Sequence, residues 1–124
     1  MGKSVLIVDD SKTMRKIITK TLRQANVDID NVLEAGDGQE ALDQLEEEKP
    51  DLILCDINMP NMDGIELLKR LKSNGLMNSI PVIMITTEGR SEDVVKKLID
   101  LGAAATLGKP FTADQLQGVL QKVD

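Results

Sequence analysis

Carboxylates, hydroxyls and one ammonium stand where the apolar runs of this sequence end. VLIV (5–8) runs into Asp9 and Asp10, and LILC (52–55) into Asp56. PVIMI (81–85) runs into Thr86, Thr87 and Glu88, and AAATL (103–107) into Gly108, Lys109 and Pro110. Two like charges about 4 Å apart repel by roughly 4 kcal/mol at an effective dielectric of about 20. Three clustered carboxylates therefore need a cation or raised pKa values. Lys109 brings one positive charge. Mg²⁺ would bring two, and it favours one or two carboxylates with waters and phosphate oxygens. Such a group suits phosphoryl transfer to a carboxylate. The ion, Lys109 and the Thr86 hydroxyl would neutralise the equatorial oxygens while a carboxylate attacks in line. Any one of these residues alone is commonly just a solvated loop residue, but the whole set at four run ends is not.

Composition removes several other chemistries. The chain has no histidine and one cysteine, Cys55. This excludes the usual zinc sites, Ser-His and Cys-His nucleophile pairs, and an internal disulfide. The thiol follows Leu54 in an apolar run, so it reads as buried and inert. A net charge of −6, from 15 basic and 21 acidic side chains, argues against nucleic-acid binding. No apolar run is long enough to cross a membrane, and the start MGKSVLIV lacks the parts of a signal peptide. A cytoplasmic location and a monomer are expected.

The elements that must position these residues alternate. Besides the three strong runs, NVLEA (31–35) and AAATL (103–107) are weaker and suit sheet edges. Between the runs lie five helix-period segments, 12–25, 37–48, 63–73, 91–101 and 112–123. In the first, Met14, Ile17, Ile18, Leu22 and Ala25 form the apolar stripe; in the fourth, Val94, Val95, Leu98 and Ile99 do so. Asp37-Gly-Gln-Glu40, Asp63-Gly-Ile-Glu66 and Thr112-Ala-Asp-Gln115 resemble capping boxes, and Ser91 precedes Glu92 and Asp93. Gly75 and Gly102 sit where helix ends want a left-handed residue, and Pro50 ends the second helix. Five β-α repeats predict an α/β fold, a five-stranded parallel sheet with five helices on both faces. In such sheets ligands sit beyond the carboxyl ends of the strands, near a topological switch point.

The segments VLIVDD, LILCDINMPNMDG, VIMITTEG and GKPF, at their intervals, resemble a response-regulator receiver domain of the chemotaxis CheY type. The resemblance covers 1–124 as one domain and implies the flavodoxin-like strand order 2-1-3-4-5. It implies Asp56 as phosphoacceptor, phosphorylated by a histidine kinase. It implies a Mg²⁺ site of Asp9, Asp10, Asp56 and the backbone carbonyl of Asn58. Thr86 and Lys109 would bind the phosphoryl group, and the Lys109–Pro110 bond would be cis. Asn58 and Glu88 would tune dephosphorylation, a pairing typical of chemotaxis regulators. No separate substrate is expected. Output would be a protein contact on the fourth helix, fifth strand and fifth helix, with a flagellar motor switch protein or another output protein. A phosphatase is a further expected partner. A phosphorelay intermediate or phosphate sink keeps the same chemistry. A Mg²⁺-dependent aspartyl phosphatase is the different class, but it usually carries its nucleophile on the first strand as Asp-x-Asp.

Three positions depart from the family. Thr106 stands where an aromatic switch residue is usual, so a smaller rearrangement through Thr86 and the 86–91 loop must carry the signal. Gly108 replaces a branched residue, which suggests a bulge or close backbone approach. Thr87 replaces a smaller residue and either restricts access to the site or sits passively. Lys12, Arg15, Lys16, Lys20 and Arg23 make the first helix basic, either as a solvated face or as a docking face for an acidic kinase or phosphatase. Met59 and Met62 are expected to shape the loop after Asp56, and Phe111 to pack at the start of the last helix.

Overall fold

The computed structural model describes residues 2–75, 79–87 and 91–123. Five strands alternate with five helices: β1 (Lys3–Val8), α1 (Lys12–Gln24), β2 (Ile29–Ala35), α2 (Gly38–Glu47), β3 (Leu52–Asp56), α3 (Gly64–Ser73), β4 (Val82–Thr86), α4 (Glu92–Asp100), β5 (Ala105–Gly108) and α5 (Ala113–Val123). All strand pairs are parallel, in the order β2-β1-β3-β4-β5. The chain therefore leaves β1 in one direction and returns on its other side at β3. The switch point falls between the strands that end at Asp9 and Asp56.

The apolar runs of β1, β3 and β4 are buried on both faces. Alternate residues feed two cores. Leu6, Val8, Ile53, Cys55 and Met84 pack against Ala41 and Leu45 of α2, Leu67, Leu68 and Leu71 of α3, and Leu98 of α4. Val5, Ile7, Leu54, Ile83 and Ile85 pack against Ile18 and Leu22 of α1 and Leu116 and Leu120 of α5, with Phe111 at the margin. Three helices thus cover one face and two the other. Each fully buried large side chain contributes roughly 1.5–3 kcal/mol of transfer free energy.

Helix starts follow the local sequence. Ser11, Asp37, Asp63 and Ser91 each accept from the amide three residues on. Thr112 and Gln115 form a reciprocal capping box at 2.9 and 3.1 Å. The Asp37 cap departs from that pattern: Glu40 reaches past it to the Gly36 amide at 3.2 Å. Gly75 and Gly102 have φ of +73° and +110°, as helix ends require.

Three packing expectations are corrected. Ile17 is 50% exposed and Ile99 43% exposed. Successive helical residues point about 100° apart, so burying Ile18 and Leu98 turns Ile17 and Ile99 to the edges of their stripes. Gly108 forms no bulge; β4 and β5 keep an unbroken register from Ile83↔Ala105 to Thr86↔Gly108.

Candidate functional site

The carboxyl edge of the sheet gathers the strand-end residues. β3 carries Asp56 as its last residue, and β1 delivers Asp9 and Asp10 immediately after Val8. Register pairs Val8 with Cys55, so these ends are level. Asp9 and Asp56 are buried and Asp10 is exposed. One oxygen from each of the three carboxylates lies within 4.8 Å of the others. Just after β5, Lys109 reaches across: its Nζ is 3.2 Å from Asp9 Oδ2 and 3.3 Å from Asp56 Oδ1. The Lys109–Pro110 peptide is cis.

Hydrogen bonds fix the carboxylates. Asp9 Oδ1 accepts from the Ser11 amide at 2.9 Å, and Asp56 Oδ1 from the Ile57 amide at 2.9 Å. Burial pushes the Asp56 carboxyl above its ordinary pKa; the Lys109 ammonium works against this, and the Asp9 charge adds to it. Three carboxylates against one ammonium leave the cluster negative. The donors are all oxygens and one is open to solvent, which fits a hard divalent cation.

Thr86 ends β4 beside the cluster and is buried. Its register neighbour is Gly108, so β5 places no side chain next to it; the Lys109 amide donates to the Thr86 carbonyl at 2.8 Å. Thr87 is exposed. With Asn58, Ile65, Val94 and Lys97, both threonines border a hollow of about 220 Å³ between α3 and α4. Thr106 is half-buried on β5, paired with Met84. Glu88 lies outside the described residues. Cys55 is buried in the α2–α4 core, and burial pushes its thiol well above the ordinary range, with the Asp56 charge adding to the effect. The structure thus brings Asp9, Asp10, Asp56 and Lys109 into one cluster, sets Thr86 beside it, and leaves Thr106 two residues back from the strand end.

A family profile for the response regulator receiver domain matches residues 5–121. The chain belongs to that family. This receiver domain is 39% identical to chemotaxis protein CheY-3 of Vibrio cholerae over 119 residues, 96% of this chain and 89% of the relative. Among solved structures it resembles chemotaxis response regulator CheY4 of Vibrio cholerae, with 35% identity, full coverage of both chains and a TM-score of 0.86. It also resembles a chain of the CheX-CheY-BeF3-Mg complex from Borrelia burgdorferi, with 31% identity, 97% and 87% coverage and a TM-score of 0.83. These relatives make it a CheY-like response regulator of the chemotaxis type. Among the described residues, no helix is long and apolar enough to cross a membrane.

Two supports of the receiver site are not visible in the sequence. The sequence groups Arg15 with the basic face of α1, but its side chain is only 17% exposed. Its Nη1 donates to the Asp9 carbonyl at 2.6 Å, while Nε pairs with Glu34 at 2.9 Å. It is an anchor of the β1–α1 loop, and the solvated or docking basic face reduces to Lys12, Lys16, Lys20 and Arg23. Gly64 is a second support. A Cβ there would run into the Asp56 carbonyl oxygen and stand 2.9 Å from Ile57 Cα. The sequence signal is the Asp63-Gly64 pair, which on its own reads only as a helix start.

Proposed function

We propose that Asp56 accepts a phosphoryl group from the phosphohistidine of a histidine kinase, and that Asp9, Asp10, Asp56 and the Asn58 carbonyl hold Mg²⁺ for the transfer. The observation that carries this is the Asp9–Asp10–Asp56 cluster, closed within 4.8 Å and bridged by Lys109. The bound ion supplies charge neutralisation at the phosphoryl oxygens. Asp56 stands at the rigid end of a buried strand, so its free oxygen is presented to the phosphorus with little reorganisation. As the new P–O bond forms, the P–N bond to the imidazole breaks and the electron pair leaves with the nitrogen. Lys109 favours the ionised, nucleophilic form of Asp56 and then pairs with the phosphoryl group. The Thr86 hydroxyl donates to a phosphoryl oxygen. Asn58 and Glu88 tune the return of the group to water.

Phosphorylation then alters protein binding on the α4–β5–α5 face, with a flagellar motor switch protein as the output partner and a phosphatase as a further one. The protein has no separate substrate, acts as a monomer, does not bind nucleic acid and works in the cytoplasm. Thr106 in place of an aromatic side chain favours one second reading, a phosphorelay intermediate or phosphate sink. An aspartyl phosphatase is disfavoured because the proposed nucleophile stands on β3, with only its charged neighbours after β1.

Two experiments separate these readings. Incubation with acetyl phosphate and Mg²⁺, followed by intact-mass measurement, yields one phosphoryl adduct on the wild type and none on Asp56→Asn. An adduct that survives in the variant overturns the assignment. A motor switch peptide binds more tightly after beryllofluoride treatment; unchanged binding excludes the motor reading and leaves the relay or sink.

A further inference from the structure

The loop after Asp56 carries Asn58, and it is gripped from outside the site. Asp37 stands between β2 and α2. Its Oδ1 accepts from the Glu40 amide at 2.9 Å, which caps α2. Its Oδ2 accepts from Asn61 Nδ2, also at 2.9 Å, 24 residues further along the chain. The next amide, Gly38 N, donates to the Met62 carbonyl at 3.0 Å. Gly38 allows this approach, because a Cβ there would meet Met62 Cγ at 2.6 Å. Asn61 has a φ of +64°, the left-handed region that asparagine tolerates better than most residues. The base of the loop closes through Gly64 N to the Ile57 carbonyl at 2.8 Å.

We infer that Asp37 is a positioning residue for the loop that follows the phosphoacceptor: through Asn61 it fixes where the Asn58 carbonyl stands relative to Asp56. This rests on the proposed metal site. Asp37 does not belong to the carboxylate cluster and acts only through the loop. The Asn61 amide and the Glu40 N–H hold its carboxyl below the ordinary range, which keeps both oxygens available as acceptors. With the base closed by Gly64 and the tip closed by Asp37, the segment from Ile57 to Asp63 has little room to swing. Outer partners of metal ligands commonly change affinity about 10–100-fold when removed. A backbone ligand three residues from the clasp should respond more weakly, at or just below the low end of that range.

The cap and the clasp use different oxygens, so they can be separated. Serine is about as good an N-cap as aspartate, but its single oxygen cannot reach both partners. Asp37→Ser should leave the urea midpoint near the wild-type value, raise the Gly38 amide exchange rate in the metal-free protein, and weaken Mg²⁺ binding about 3–10-fold by amide NMR titration. Asn61→Gly keeps the positive φ, loses the amide and should match it. The double variant should be no weaker than either alone, since both remove one bond. Asp37→Asn should restore binding, because its amide can cap α2 and meet a flipped Asn61. Mg²⁺ affinities of the Ser and Gly variants within about twofold of wild type, or effects that multiply in the double variant, would overturn the inference. A wild-type protein that neither binds Mg²⁺ nor takes a phosphoryl group would instead overturn the site reading beneath it.

Discussion

The ammonium of Lys109 lies 3.3 Å from Asp56 Oδ1 and 3.2 Å from Asp9 Oδ2. One cation just after β5 therefore holds together the carboxylates that end β1 and β3. Its side chain is only 17% exposed, so the pairing is poorly screened.

Lys109→Ala leaves two buried carboxylates facing each other. Breaking a buried pair costs about 3–5 kcal/mol, and the partial exposure of Lys109 reduces this to about 1–3 kcal/mol. Urea unfolding followed by circular dichroism, with EDTA present, should show that loss. Saturating Mg²⁺ should shrink it, because a divalent ion supplies the missing charge. A loss that Mg²⁺ leaves unchanged would mean the lysine matters for packing rather than for charge.

Burial raises the pKa of Asp56, so the folded chain binds this proton more readily than the unfolded chain. Stability then falls as pH rises from the ordinary carboxylate value through the raised one. In EDTA, Asp56→Asn should be more stable than wild type at about pH 7, and the advantage should fade below about pH 4. Equal stability at both pH values would show that Lys109 fully compensates the buried charge.

Two glycines near the site make a graded pair. Gly64→Ala drives a Cβ into the backbone of Asp56 and Ile57, which cannot yield without moving β3. Gly38→Ala meets the Met62 side chain, whose Cγ and Sδ can turn aside while its Cβ, 2.9 Å away, has to shift with the loop. Alanine gains about 1 kcal/mol of helix propensity at either position. The clash should still dominate at Gly64, with a net loss of about 2–3 kcal/mol, and a smaller loss at Gly38. Denaturation midpoints check the order, which an equal or reversed pair would refute.

Without an aromatic residue at position 106, the switch has to run through Thr86. Thr86, Thr87 and Asn58 share a hollow with Val94 and Lys97 of α4, so a shift of Thr86 towards a phosphoryl group changes what α4 packs against. Beryllofluoride should move backbone amide shifts in α4 as well as around Asp56, and Thr86→Ala should abolish the α4 changes. Shifts confined to the phosphorylation site in the wild type would disprove this route.

Much of this arrangement was legible in the sequence because strand ends are easy to see. Continuous runs such as LILC, alternating with helix-period segments, read as buried strands, and a parallel sheet then places Asp9, Asp10, Asp56, Thr86 and Lys109 on one edge. The Asp37, Asp63 and Thr112 caps are local and were equally readable. Arg15 was not, because five basic residues on one helix look alike until β1 and β2 decide which of them faces the Asp9 carbonyl. The Asp37–Asn61 bond joins two turns whose nearness exists only after folding. Ile17 and Ile99 were misplaced because an apolar stripe tells which side of a helix is buried but not where its edge falls. Gly108 suggests a bulge or a close backbone approach, yet a glycine can equally sit in regular register, as it does opposite Thr86.

The central claim is that Asp56 carries the phosphoryl group. Borohydride reduces an acyl phosphate to the alcohol, so an aspartyl phosphate is trapped as homoserine at its own position. The protein is phosphorylated with acetyl phosphate and Mg²⁺, trapped, digested and mapped by mass spectrometry. Homoserine should appear in place of Asp56 and nowhere else, and EDTA should abolish it. Homoserine at Asp9 or Asp10, or none in a sample whose intact mass shows the adduct, would contradict the account.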